Sequence, residues 1–337
     1  MKKSLIFLLM TLVLSLFLAA CGSSTETEGE AADPVEEVET TEDEGAEEEA
    51  ETEAAEEAEI TVTHQLGETV IPKNPTNVVV FDMGVLDTLD TLGVNAVTAV
   101  PTESIPEYLS KYQGSEYETA GTLFEPDFEK IYDLQPDLII ISGRAQEAYD
   151  ELSEIAPTLF VQVDTANYLE SFTSNVELLA EIFGKEDVAA EQLATIEESL
   201  AALNEKATSS EAEGLIILAN DGSISAYGPG SRFGMLHTDF GVAAVDENIE
   251  VSQHGQNISF EYIAEKDPEY LFVVDRGAIV GGESSGQQTV ENDLVKGTQA
   301  YQNGNIIYLD PVYWYITAGG LTAIDGMIAE VDAAIAE

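Results

Sequence analysis

Arginine is the residue whose placement in this sequence asks for a chemical explanation. The 337-residue chain carries 65 aspartates and glutamates against 12 lysines and arginines, a net charge of -53, and only three of the basic residues are arginine: Arg144, Arg232 and Arg276. Two of these close matched stretches. FEKIYDLQPDLIIISGR, from Phe128, and FEYIAEKDPEYLFVVDR, from Phe260, align at a constant offset of 132 residues, and in each the arginine follows the glutamate by fifteen positions. The third lies in GPGSRFG. A guanidinium presents planar, forked N–H donors that hold an oxyanion in a partly dry cleft better than an ammonium does. Surface ion pairing would scatter the arginines and would be served as well by the nine lysines, which sit in the leader and in helix or loop contexts. The pattern points to one anionic ligand shared by three arginines.

Other side chains with chemistry to offer are few. His254 lies in SQHGQN, a polar loop just ahead of the second repeat, and DPVYWYITAGG supplies Tyr313, Trp314 and Tyr315 directly after a strand end. A lone histidine is more often a plain loop residue, and an aromatic cluster packs as often as it binds. His64 and His237 are too scattered to make a zinc or manganese site with His254. No nucleophile elbow, P-loop or HExxH pattern occurs, and GPGSRFG lacks both the P-loop lysine and dinucleotide-binding spacing. This is the inventory of a binder with no intrinsic cofactor, not of an enzyme.

The elements that must carry these residues follow from the apolar pattern. Each repeat is a short helix stopped ahead of a proline, then a β-branched and aromatic run too short for a helix and suited to a buried strand. Further strands are expected in NVVVFD from Asn77, AVTAV from Ala96, TLFVQV from Thr158, GLIILAN from Gly214 and NIIYLD from Asn305, with helices between them. That alternation is α/β. Loops beyond the carboxyl ends of such strands gather ligands, so each repeat sets an arginine at the mouth of a lobe. Between the repeats, Leu169, Phe172, Val176, Leu179 and Phe183 share one helix face, and Leu193, Ile196, Leu200 and Leu203 share another over about Glu186 to Ala207. A helix of that length spans about 30 Å, enough to join two lobes as a stiff rod. The expected fold is α/β, two lobes joined by a single long helix with the ligand cleft between them.

The N-terminus adds appendages. MKKSLIFLLMTLVLSLFLAAC has the charge, apolar stretch and small-residue end of a signal peptide, and Leu18-Ala19-Ala20-Cys21 matches the lipobox of bacterial lipoproteins. Cys21 is the sole cysteine, and once lipidated it would hold the chain on a membrane. Residues 22–59 carry eighteen acidic groups and no basic one, the composition of a self-repelling, extended tether. The expected division is a signal peptide over 1–20, lipidated cysteine and tether over 21–59, an N-terminal lobe over 60–184, the bridging helix over 185–208 and a C-terminal lobe over 209–337. So negative a chain excludes nucleic acid as a partner and suits a medium whose salt screens self-repulsion.

Lipobox, tether, paired lobes and bridging helix together resemble the substrate-binding proteins of ABC importers for iron siderophores, the class III type with a single joining helix. IPKNPTNVVVFDMGVLDTLDTLG, PDLIIISGR, SAYGPGSRFGMLH, QHGQNISFEYI, VVDRG and YLDPVYWY are closer still to the petrobactin-type, ferric catecholate siderophore-binding subfamily. The acidic tether is not a family feature in its composition. The resemblance implies a monomeric lipoprotein on the outer face of the cell membrane that binds an anionic ferric siderophore and delivers it to ABC permease subunits, the Fe(III) arriving with the ligand. It implies that Arg144, Arg232 and Arg276 contact the complex. It also implies that His254 and Tyr315 complete the iron coordination of ligands offering too few oxygens. Glu129 and Glu261, one per lobe rim, would meet permease arginines. A haem or cobalamin receptor of the same fold, and further off a tethered siderophore-processing enzyme, are the alternatives.

Overall fold

The computed structural model describes residues 59–335; the leader, Cys21 and nearly all of the acidic segment lie outside the described residues. The described chain opens with an antiparallel hairpin of β1 (Glu59–His64) and β2 (Gly67–Pro72). Next come β3 (Val78–Val80), helix α1 (Met83–Thr91), β4 (Val97–Val100), β5 (Glu118–Thr119), helix α2 (Phe128–Leu134), β6 (Leu138–Ile141) and β7 (Thr158–Phe160). These strands form an all-parallel sheet in the order β5-β4-β3-β6-β7. Every residue of β3, β6 and β7 is buried, as befits a parallel sheet covered on both faces.

Helices α3 (Tyr168–Phe183) and α4 (Glu186–Ser209) then carry the chain to a second sheet. There β8 (Glu213–Asn220), helix α5 (Phe260–Lys266), β12 (Tyr270–Asp275) and β13 (Ile306–Leu309) repeat the parallel β/α theme. On the other side of β8, β9 (Ser223–Tyr227) and β11 (Gln256–Ile258) run antiparallel, and the short β10 (Ala243–Ala244) pairs with the start of β8. The long helix α4, 24 residues and so about 36 Å, buries Ile196, Leu200, Leu203 and Ala207 on one face. Each such leucine or isoleucine contributes roughly 2 kcal/mol by leaving water.

The sequence repeat is a structural repeat. Helices α2 and α5 stop at equivalent residues, Gln135 (φ 47°) and Asp267 (φ 44°), each immediately before a proline. Proline disfavours right-handed helix in the residue ahead of it, so a left-handed cap ends the helix and turns the chain into the strand. β6 and β12 are therefore delivered in the same way into the interior of their sheets, and an arginine follows each.

The two sheets share one buried cluster, which runs from β3 through α3 and α4 to β8 and the last helix, α6 (Leu321–Ala334). At the junction α6 packs on α1 of the first lobe as well as on α4. Its N-cap is Gly320, which has no side chain to satisfy the free N–H groups of the first turn. Asp87 of α1 does so instead, its Oδ2 accepting from Ala323 N at 3.0 Å across 236 residues of sequence. Glycine is required here for space: a Cβ on Gly320 would overlap the Asp87 carboxylate, and one on Gly84 would lie 2.7 Å from the Ala318 carbonyl oxygen. Lys206 Nζ adds a bond from α4 to the Asp332 carbonyl at 2.6 Å.

Asp87 is fully buried, and burial pushes its carboxyl up to about 6 from 3.8, against the hydrogen bonds it accepts. A raised pKa in the folded state means that ionisation opposes folding, a cost that grows between about pH 4 and about pH 6 and then stays near 3 kcal/mol. Asp87→Asn keeps an oxygen for the Ala323 N–H and removes the charge. Urea unfolding across that pH window is expected to show the stability difference moving in favour of the variant, by up to about 3 kcal/mol. A difference independent of pH would contradict this role for the charge.

Candidate functional site

Turns beyond the carboxyl ends of β3, β6 and β7 face loops of the second lobe, among them the turn after β13, across a cleft of ≈ 920 Å³. β7 ends at Phe160, earlier than the TLFVQV run suggests, because Val161, Gln162 and Val163 leave the sheet and line this cleft. Asp82, just after β3, organises the first-lobe side. Its Oδ1 caps α1 by accepting from Gly84 N and Val85 N at 2.9 Å each, while its Oδ2 accepts from Ser142 Oγ at 2.5 Å and lies 3.9 Å from Arg144 Nη1. On the opposite side, Ser231 Oγ donates to the Gly228 carbonyl at 2.5 Å and closes the GPGSR turn behind Arg232.

All three arginines reach one residue. Arg144 Nη2 donates to the main-chain carbonyl of Tyr315 at 2.6 Å, and Arg232 Nη2 donates to the same oxygen at 3.2 Å. Arg276 Nε donates to the Tyr315 phenol oxygen at 2.9 Å while its Nη1 donates to Asn220 Oδ1 at 3.0 Å. The Arg232 guanidinium also stands 4.1 Å from the centre of the Tyr315 ring, and those of Arg144 and Arg276 stand 5.8 Å away. Arg144 and Arg232 line the cleft together with Tyr315, whereas Arg276 meets the group through the phenol. Burial lowers the pKa of Arg232, so its positive charge is held in partly dry surroundings. Burial would raise the Tyr315 phenol, but the hydrogen bond from Arg276 and the fields of the three guanidinium groups outweigh it and bring the phenol below its usual 10. Three cations, a half-buried phenol and a carbonyl make a pocket built to receive several oxygens of an anion.

Residues 78–313 match the family described as periplasmic binding protein. The chain belongs to that family. It is 51% identical over 276 residues to the petrobactin-binding protein YclQ of Bacillus subtilis (strain 168), covering 81% of this chain and 87% of the relative. The crystal structure of that petrobactin-binding protein superposes with a TM-score of 0.80 at 50% identity, over 83% of this chain and 99% of the other. The crystal structure of the periplasmic catecholate-siderophore binding protein VctP from Vibrio cholerae gives 0.76 at 38% identity, over 82% and 99%. The family and these relatives are binding proteins, as the missing catalytic motifs led us to expect.

In this periplasmic binding protein the aromatic run after β13 divides its labour. Val312–Ile316 forms a single π-helical turn, which sends neighbouring side chains in different directions. Trp314 is buried against Phe233 and Phe240 and donates from Nε1 to Glu330 Oε2 at 2.9 Å, Tyr313 meets Tyr108, and Tyr315, alone of these three rings, lines the cleft. His254 is exposed and lines the cleft with Tyr315. The other histidines serve elsewhere: His64 bonds Thr69 Oγ1 at 2.9 Å in the first hairpin, and His237 Nδ1 lies 2.9 Å from the Val242 carbonyl. Among the described residues no group of three or more His, Cys, Asp or Glu could hold a metal ion. Glu129 and Glu261 are exposed in the first turns of α2 and α5 and are not among the residues that line the cleft. Two partners escaped the sequence reading, Asp82 and Asn220. Both stand at the carboxyl side of a strand, as the arginines do, and that position was the available signal.

Ultraviolet difference titration should show one tyrosine ionising ahead of the rest, and Tyr315→Phe should remove that step. If the early step persists in the variant, the guanidinium cluster does not govern this phenol.

Proposed function

We propose that this protein captures an anionic ferric siderophore, of catecholate or petrobactin-like chemistry, outside the cytoplasm and hands it to the permease of an ABC importer. The observation that carries this reading is the convergence of three guanidinium groups on Tyr315 in the cleft between the lobes. An anion that enters exchanges its oxygens for the Tyr315 carbonyl and phenol on donors already held in place, so little ordering cost remains. The charge matters as much as the geometry. A strongly acidic chain repels an anion everywhere except where its few arginines are gathered. The names borne by the similar proteins, petrobactin-binding and catecholate-siderophore binding, support the same ligand class. Iron enters as cargo in the ligand, and His254 and Tyr315 complete its coordination only where the siderophore leaves sites open. The lobes over 60–184 and 209–337, joined through the helix over 185–208, work as a monomer held to the membrane by lipid on Cys21.

Single alanine replacements of Arg144, Arg232 and Arg276 should each weaken a ferric tris-catecholate by about ten-fold or more, the value of a charged hydrogen bond. His254→Ala in the same series should weaken a tetradentate bis-catecholate and spare a hexadentate ligand. Equilibrium dialysis read by the visible absorption of the iron complex measures both, and unchanged affinity in all three arginine variants would overturn the proposal.

Glu129 and Glu261 are assigned to permease docking, one on each lobe. Exposed charges bind weakly one by one, but two at a fixed spacing set orientation. Replacing both with alanine should abolish iron uptake by cells while the purified protein keeps its affinity. Uptake that survives the double replacement contradicts the assignment.

A further inference from the structure

Ten large apolar side chains are exposed among the described residues, and two of them line the arginine cleft: Phe124, 67% exposed, and Val251, 65% exposed. They come from opposite lobes. Phe124 stands on a turn between β5 and α2, and Val251 on the loop between β10 and β11 that also carries His254.

Neither exposure belongs to a loose loop. Thr122 Oγ1 accepts from Phe124 N at 3.3 Å and from Glu125 N at 3.0 Å, Thr122 N donates to the Glu125 carbonyl at 3.0 Å, and Asp127 N donates to the Ala120 carbonyl at 2.8 Å. Gly121 closes the turn at φ 110°, where a Cβ would overlap the Glu125 carbonyl oxygen. The turn holds a phenylalanine outward against the hydrophobic effect. Across the cleft, Ile249 is buried with its Cβ 3.0 Å from where a Cβ on Gly228 would stand, and Glu250 N donates to Gln256 Oε1 at 2.8 Å. Val251 is thereby fixed beside Gly230, two residues from Arg232.

The surrounding charge says what these side chains would meet. Arg144 and Arg232 collect negative charge deep in the cleft, while Glu125, Glu147 and Asp164 also line it and repel negative charge elsewhere. A ligand that satisfies both zones is anionic at its centre and uncharged at its periphery.

Resting on the siderophore reading above, we propose that Phe124 and Val251 form a two-sided apolar clamp that takes the uncharged hydrocarbon periphery of the ferric ligand. The clamp selects among ligands with the same iron centre. Its contribution comes from apolar area removed from water and is separable from the charge contribution of the arginines.

Two ferric probes of equal charge and coordination separate the effects: iron(III) tris(catecholate) and the tris complex of 4-tert-butylcatechol, each in excess of its own catechol at alkaline pH. The wild-type protein should prefer the butylated complex by about ten-fold, as added apolar surface is buried. The Phe124→Ser, Val251→Ser double variant should lose that preference and keep its affinity for the plain complex, and Phe124→Leu should restore part of it. A preference unchanged in the double variant, or equal losses for both probes, overturns the clamp and leaves the arginine reading standing; equal losses would mean that the rims only shape the cleft. If the wild-type protein binds neither probe, the arginine reading falls and the clamp with it.

Discussion

Three like charges within reach of one tyrosine are the constraint on which the rest of this structure turns. Guanidinium groups so close repel one another, and burial of Arg232 sharpens the cost. The structure offsets it locally with the Tyr315 carbonyl, the polarised phenol, Asn220 and Asp82, and globally with the field of a chain carrying -53. None of these partners neutralises the cluster in close contact; among the described residues the nearest carboxylate is 3.9 Å away. The cluster therefore holds a few hydrogen bonds and an unneutralised charge, the condition under which an anion gains most by entering.

Holding such a cluster demands fixed backbone on both sides of the cleft, and the fold supplies it. β6 and β12 arrive through identical left-handed caps, so Arg144 and Arg276 inherit matched starting points. Tyr315 hangs from a π-helical turn anchored by Trp314 in the core, and the same segment runs on to Gly320 and the helix that Asp87 caps from the first lobe. The aromatic run is thus tied to both lobes. Where the two sheets share a core, the position of Tyr315 and the spacing of the arginines are set by packing rather than by loop chance.

Much of this was legible in the sequence because it rested on rarity and repetition. Three arginines in an acidic chain, two of them at matched offsets, were enough to point to the cleft, and the α/β alternation located the seven strands β3, β4, β6, β7, β8, β12 and β13 to within a few residues while missing the first hairpin, β5 and β9 to β11. What was illegible has physical reasons. A π-helical turn breaks the 3.6-residue period, so no pattern could tell that Tyr315 faces the cleft and Trp314 the core. Asp82 and Asp87 were hidden among 65 acidic residues, and their roles come from long-range partners, Ser142 and Ala323, that sequence spacing does not reveal. Arg276, equivalent to Arg144 in sequence, is not equivalent in place, because the phenol stands between it and the cleft.

If charge selects the ligand, the most direct test is equilibrium dialysis of the unaltered protein against two hexadentate ferric complexes of similar size, a trianionic tris-catecholate and a neutral tris-hydroxamate, at low and high salt. Tight binding of the catecholate is expected, with binding of the hydroxamate weaker by about a hundred-fold or more, and a gap that narrows only partly with salt because the arginines are half-buried. Equal affinity for the neutral complex would contradict selection by charge.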